Sequence, residues 1–377
     1  MSTSSAQAIV LVTPVFFAMI AVEAYVGWRR NRNTYRLADA MASIGLGMLS
    51  QLSGLLTGIV GLTLYGAVYE HVAIWHLSEK SIAVWIGALI AYDFFYYWLH
   101  RFGHESAVLW AAHVIHHQSE EYNLSTALRQ TSSGFLLGWL FYIPMAVAGV
   151  PPLVLGVVGL IDLLYQYWVH TQQIGKLGWF DYWFCSPSNH RVHHAVNEVY
   201  LDKNYGGILI IWDRIFGTFQ EELDAEPCVY GTRDALLSFN PIVANLQVYR
   251  RLIKKTWRAR GLDRLRVWVK AAHWQPASWG PLPEDNYDPM AKKLYRPVVS
   301  QTRIKLAVAV FVLMLGVTTV LLWYANTMTI WQQALGLVLA TAGMSVVGWL
   351  CEAGGEKGVA KAPVVIAYSS SNYSSNN

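Results

Sequence analysis

Residues 8–28 read AIVLVTPVFFAMIAVEAYVGW, as long as the roughly 20 apolar residues that cross a bilayer. Further apolar runs cover 40–68, 82–99, 306–325 and 329–350, and a pair fills 134–170 with Pro144, Pro151 and Pro152 near its junction. That pair predicts a tight helical hairpin, because proline breaks a helix and suits a turn. Together the runs predict an all-α fold, a polytopic bundle of membrane helices. Composition agrees: 54% of the 377 residues are hydrophobic and only 14% are charged, against about 25% in ordinary soluble domains. A length that would suggest two or three soluble domains therefore reads as one membrane-embedded body.

Charge sets the expected orientation. No basic residue precedes the first run, whereas Arg29, Arg30, Arg32 and Arg36 follow it, the reverse of a signal peptide. The positive-inside rule places that loop in the cytoplasm. Counting runs from there returns the polar, histidine-bearing segments to the same face, with the C-terminal tail. The stretch YRRLIKKTWRARGLDRLRVWVK (249–270) is strongly basic. Beside membrane helices it reads as contact with an anionic lipid surface rather than with nucleic acid. Cys185, Cys228 and Cys351 are too scattered for a disulfide framework or an internal iron–sulfur motif. The expected organisation is a membrane-embedded catalytic domain over 1–275, including a basic interfacial segment 241–275. A Pro-rich connector (276–303), a helix pair (304–351) and a low-complexity, disordered tail (352–377) follow.

The chemistry lies in the histidines. HRFGH (100–104), HVIHH (113–117) and HRVHH (190–194) hold eight of the twelve. Residues three and four apart share a helix face, so each cluster converges two or three imidazoles on one point. Imidazole is the commonest protein metal ligand. Two polar stripes run inside apolar helices: Asp93, Tyr97, His100 and His104, then Asp162, Gln166 and His170. Carboxylates in membrane helices are costly and usually partnered. Asp93 and Asp162 are candidates for orienting metal-bound imidazoles, with helix–helix hydrogen bonding as the alternative. His170 joins the metal set as its ninth member. Nine imidazoles exceed one tetrahedral site and suit two ions. An all-histidine pair of ions beside lipid chains suggests oxygen chemistry on an inert C–H bond, which requires a redox metal. The rival class is a membrane metal transporter, but that needs polar residues through the full bilayer depth.

In order and spacing, HRFGH, HVIHH and HRVHH resemble the three histidine boxes of the fatty acid hydroxylase / sterol desaturase superfamily of membrane di-iron enzymes. A narrower resemblance, to the alkylglycerol monooxygenase group, rests on EEYNLSTALRQ (120–130) and DKNYGGILIIWDRIFGTF (202–219). The resemblance implies two iron ions, held by His100, His104, His113, His116, His117, His190, His193 and His194, with His170 as a further ligand. It also implies Glu105 as a ligand or proton-handling residue, and places Asn189 where many members have histidine. Tyr122, Asn123, Arg129, Asn204 and Tyr205, near the boxes, are candidate substrate contacts; interfacial anchoring is their plainer role.

The implied reaction is insertion of one oxygen atom from O2 into a lipid C–H bond. In an alkylglycerol enzyme that bond adjoins the ether oxygen, and the ether is then cleaved. Sterol desaturation or oxidation and fatty acyl or aminolipid hydroxylation are the alternatives within the superfamily. Electrons are expected from outside, from tetrahydrobiopterin or an external electron-transfer protein. The implied location is the cytoplasmic face of a bacterial inner membrane or of the endoplasmic reticulum.

Overall fold

The computed structural model describes residues 5–134, 137–282, 286–352 and 359–361. Among these described residues, five helices are long and apolar enough to cross a membrane: α1 (Ser5–Arg29), the first part of α2 (Leu37–Val72), α3 (Ile82–Glu105), α13 (Gln301–Trp323) and α14 (Ile330–Glu352). The protein is thus an α-helical, multi-pass membrane bundle. α2 runs past the expected 40–68 at both ends. α3 continues beyond the apolar 82–99 through the first histidine cluster.

The hairpin over 134–170 differs from expectation. Among the described residues its first arm is a 3-10 turn, Gly138–Tyr142, followed by α6 (Ile143–Val147). Its second arm is α7 (Pro152–Trp168). The first arm is too short for a full crossing, and α7, with 17 residues, is at the lower limit of one. The tip docks instead on the connection between α2 and α3, where Ile74 N–H donates to Val147 O (2.8 Å) and Leu77 N–H to Gly149 O (3.1 Å). Gly149 makes this approach possible: its φ is +85°, and a Cβ there would collide with Trp75 O.

Short helices build the histidine-bearing end: α4 (Ala107–His117), α5 (Leu124–Ala127), α8 (Phe180–Trp183), α9 (Pro187–His194) and α10 (Ile211–Phe216). The basic stretch forms α11 (Pro241–Arg258) and α12 (Asp263–Val269). Ala244, Val248, Leu252 and Val267 of these helices pack on Ala107, Ala111, Val114 and Ile115 of α4. The basic helices therefore lie at the histidine end of the bundle.

α13 and α14 share a core with α2, built from Met41, Met48, Leu52, Phe311, Ala340 and Met344 among others. Within the connector, β1 (Lys293–Tyr295) pairs antiparallel with β2 (Val359–Lys361), with Leu294 opposite Ala360. Disorder had been expected throughout 352–377; three of those residues are strand, and 353–358 and 362–377 lie outside the described residues.

Candidate metal centre

The nine histidines meet as two groups, His100, His104, His113, His117 and His193 in one and His116, His170, His190 and His194 in the other. Four helix ends deliver them. α3 ends just past His104, α4 ends at His117, His170 follows α7, and α9 carries the third cluster. α9 starts sharply because Ser186 caps it and Pro187 occupies its first turn. Rings of the two groups touch where His117 stacks on His194, with centroids 4.3 Å apart.

The fit to metal follows from the protons. His100 Nδ1–H donates to Tyr205 O (2.8 Å), His116 to Arg129 O (3.0 Å), His170 to Gln166 O (2.8 Å) and His193 to Lys203 O (3.0 Å). A carbonyl oxygen only accepts, so each of these Nδ1 atoms carries the proton. In the neutral ring Nε2 is then a bare lone pair. Yet Nε2 atoms crowd together: His116–His170 at 3.1 Å, His170–His190 at 3.1 Å, His100–His113 at 3.1 Å and His117–His193 at 3.2 Å. Nitrogens bonded to one ion at about 2.0–2.1 Å lie roughly 3 Å apart. His104 Nε2 is buried beside them with no partner among the described residues. Burial, and after it the neighbouring imidazoles, hold His117, His190, His193 and His194 well below the usual histidine range; burial holds His116 at about 4. Those five rings are therefore neutral, as ligation requires. Nine imidazole donors in two groups fit two ions, and imidazole suits iron among other transition metals.

A cavity of about 500 Å³ opens over both groups, with His100, His113, His116 and His170 among its lining residues. Its other walls are faces of α1, α2, α3, α7 and α13, mostly apolar. Among the polar side chains that interrupt them is a hydrogen-bonded row: Tyr96 OH donates to Gln166 Oε1 (2.6 Å), and Gln166 Nε2 donates to Asp162 Oδ2 (2.6 Å).

The candidate carboxylates do not touch the rings. Asp93 accepts from Ile208 N–H (2.6 Å), Leu209 N–H (3.1 Å) and Trp212 Nε1–H (2.8 Å). Two helical turns, about 10 Å, separate it from His100, so it clamps a backbone segment instead of an imidazole. Asp162 is as far from His170. Its Oδ1 lies near Asp93 Oδ1 across Gly207, where a Cβ would come within 2.9 Å of both oxygens. For four of the nine rings backbone carbonyls do the orienting expected of these two carboxylates. Glu105 follows His104 by one residue and so points about 100° away around the helix. It pairs with Arg101 (2.8 Å) and is substantially exposed.

The candidate substrate contacts are scaffold around the centre; none lines the cavity. Tyr122 stacks on His170 and donates to Val169 O (2.9 Å). Asn123 caps α5, and Asn204 bridges Asn189 O and Gln220 O. Arg129 is buried and donates to Ile115 O (2.7 Å). Tyr205 packs against His100, His104 and His193. Asn189 faces away, donating to Asp181 O and Phe184 O.

Three structural roles escaped sequence reasoning. Asp213 is fully buried and accepts from Tyr205 N–H and Gly206 N–H, both at 2.7 Å, and from Thr218 Oγ1–H (2.6 Å). Glu23, inside the first apolar run, accepts from Leu124 N–H (2.8 Å) and Thr171 Oγ1–H (2.5 Å). A carboxylate within such a run was the available signal for Glu23. The third is the contribution of α1 and α13 to the cavity wall, for which the sequence carries no local sign.

Comparison with known proteins agrees with this centre. Residues 85–218, which contain all nine histidines, match the family model described as Fatty acid hydroxylase. Over 266 residues the chain is 40% identical to Alkylglycerol monooxygenase of Homo sapiens and 39% identical to that of Danio rerio, covering 70% of this chain and 59% of each relative. The chain thus spans less than two thirds of the length of these relatives. It is also 31% identical over 146 residues, 38% of this chain and 43% of the relative, to Ornithine lipid hydroxylase OlsE of Rhizobium tropici. No solved structure matches.

Proposed function

Because the chain carries a domain of the fatty acid hydroxylase family over residues 85–218, we propose that it is a membrane di-iron, O2-dependent lipid monooxygenase. Its substrate on this reading is an alkylglycerol, oxidised at the carbon beside the ether oxygen. The observation that carries the proposal is the pair of histidine groups opening into a mostly apolar cavity among membrane helices. The alkylglycerol monooxygenases named above support the choice of lipid.

Two iron ions held by the nine histidines would supply the redox chemistry that activates O2. The chain's own contribution is placement. The cavity takes the alkyl tail and excludes water. The carbonyls of Tyr205, Arg129, Gln166 and Lys203 hold Nδ1 protons and so keep Nε2 available. One oxygen atom enters the C–H bond; the other leaves as water, with two electrons and two protons drawn from tetrahydrobiopterin or a small electron-transfer protein. The resulting hemiacetal collapses to an aldehyde and a glycerol. The basic helices α11 and α12, at the same end as the histidines, support a cytoplasmic active face. The bacterial inner membrane and the endoplasmic reticulum both provide that arrangement.

A second reading, hydroxylation of an aminolipid, draws on the similarity to Ornithine lipid hydroxylase OlsE. The test is to purify the full chain, measure its metal, and assay 1-O-alkylglycerol cleavage under O2 with and without tetrahydrobiopterin. Two irons per chain and O2-dependent aldehyde formation are expected. Zinc alone, or ether lipid left intact under every donor while an ornithine lipid is hydroxylated, would overturn the alkylglycerol reading.

A further inference from the structure

The far end of the cavity is lined by residues outside the segment that matches the family model. α1 presents Ala8, Val12 and Phe16 on successive turns, and α13 presents Leu315, Thr318 and Leu322. Two hydrogen bonds fix the levels of these helices. Tyr167 OH donates to Phe16 O (2.9 Å), and their rings lie 4.4 Å apart. Phe16 is therefore level with Tyr167, three residues before His170. At the other end Gln7 Nε2–H donates to Trp323 O (3.2 Å), so α1 begins where α13 ends. The nine residues from Phe16 back to Gln7 rise about 14 Å. Another turn separates Tyr167 from His170, so the histidine floor lies roughly 18 Å from the far end. An extended alkyl chain advances about 1.25 Å per carbon, given a C–C bond near 1.52 Å. Roughly 14 carbons span that depth.

Thr318 sits one helical turn short of the end. It is 3% exposed, and its hydroxyl has no partner among the described residues. Its neighbour Thr319 instead donates to Leu315 O (2.8 Å), the usual solution for a hydroxyl in an apolar helix. That hydroxyl is already shut away from solvent without a partner, so a methylene chain passing Thr318 gains no hydrogen bond there and meets only its bulk.

The geometry points to a ruler for alkyl chains, in which Thr318 and Leu322 of α13, with Ala8 of α1, set the longest tail that seats fully above the histidines. This deepens the lipid monooxygenase reading and rests on it for the identity of the ligand. The tail occupies the cavity with its terminal methyl toward Leu322 and its ether end at the histidine floor. Thr318→Phe fills the last turn. Thr318→Val keeps the shape and removes the hydroxyl.

The test measures retention of a homologous series of 1-O-alkylglycerols, from roughly 8 to roughly 20 carbons, by native mass spectrometry of the full chain in detergent. The same series is then assayed for O2-dependent cleavage. For the natural sequence, retention should climb with each carbon and level off near 14. T318F should move that break to shorter chains by about four carbons, one helical turn. T318V, which keeps the shape, should leave the break at the same chain length. Cleavage with three superimposable chain-length profiles would overturn the ruler and leave the enzyme reading intact. A break that moves as described, with no cleavage of any chain, would overturn the enzyme reading and leave the ruler standing.

Discussion

His116 and His170 face each other Nε2 to Nε2 at 3.1 Å while each gives its Nδ1 proton to a backbone carbonyl. Two lone pairs held at that distance in a buried site repel unless a cation lies between them. Removing metal should therefore destabilise the histidine end of the bundle. A ligand present at about 100 times its dissociation constant stabilises a fold by about 2.7 kcal/mol, so an iron chelator should lower the melting midpoint in detergent and ferrous iron should restore it. His116→Ala should also halve the bound metal by emptying one group. A melting curve indifferent to chelator and to added iron would remove the basis for a metal centre.

Asp213 offers a sharper handle because it acts on one group only. Its two oxygens fix Tyr205 and Gly206 N–H, and the Tyr205 carbonyl in turn holds His100. Asp213→Asn leaves one of those N–H groups facing an amide NH2. The five-histidine group should lose metal affinity by about 10–100-fold, as loss of an orienting partner usually does. The four-histidine group should keep its ion. Metal titration by X-ray fluorescence would then count one tightly held ion per chain in place of two; retention of both would show that Tyr205 is held by other means.

Much of this was legible in the sequence because the signals are local. Apolar runs mark the spanning helices, and i, i+3, i+4 spacing puts histidines on shared faces. That logic also misled. Asp93 shares a stripe with His100, but a stripe conveys direction and not reach, and two turns of helix keep the carboxylate from the ring. Tyr122 and Arg129 are polar residues near a motif, which looks the same whether they face the cavity or pack behind it. The first arm of the hairpin read as a span because apolarity conceals length: with Pro144 inside and Gly149 turning the chain, it folds as a short 3-10 and α segment. The cavity walls from α1 and α13 were illegible for another reason. They depend on which lipid-like faces meet, and helices this apolar carry no periodic stripe to say so.

The pairing of Arg191 with Glu222 should be more consequential than its charge suggests. Arg191 Nε–H and NH2 donate to the two carboxylate oxygens at 2.8 and 2.7 Å, with both side chains mostly buried. Its remaining nitrogen reaches Thr171 O and Ile174 O, tying the third histidine cluster to the segment after His170. Removing one partner of a buried pair typically costs about 3–5 kcal/mol, whereas replacing both by apolar groups costs far less. Glu222→Leu or Arg191→Met alone should unfold the protein at distinctly lower temperature than the two changes together. Additive losses in that double-mutant cycle would mean the two residues act separately.

Glu121 provides a pH test outside the membrane helices. Burial first, then the charge of Asp39, push its carboxyl up to about 7, against the pull of Arg36 at 3.6 Å and Arg296 at 3.8 Å. The folded protein thus keeps a proton that the unfolded chain, with an ordinary value of 4.5, has already released. This contribution to stability is full below about pH 4.5 and is lost as pH rises through about 7, amounting to roughly 3 kcal/mol at most. The melting midpoint of the natural sequence should therefore fall between pH 5 and pH 8 more steeply than that of Glu121→Gln, which has nothing to ionise there. Parallel curves for the two proteins across that window would show that Glu121 is already charged in the fold and that Arg36 and Arg296 outweigh its burial.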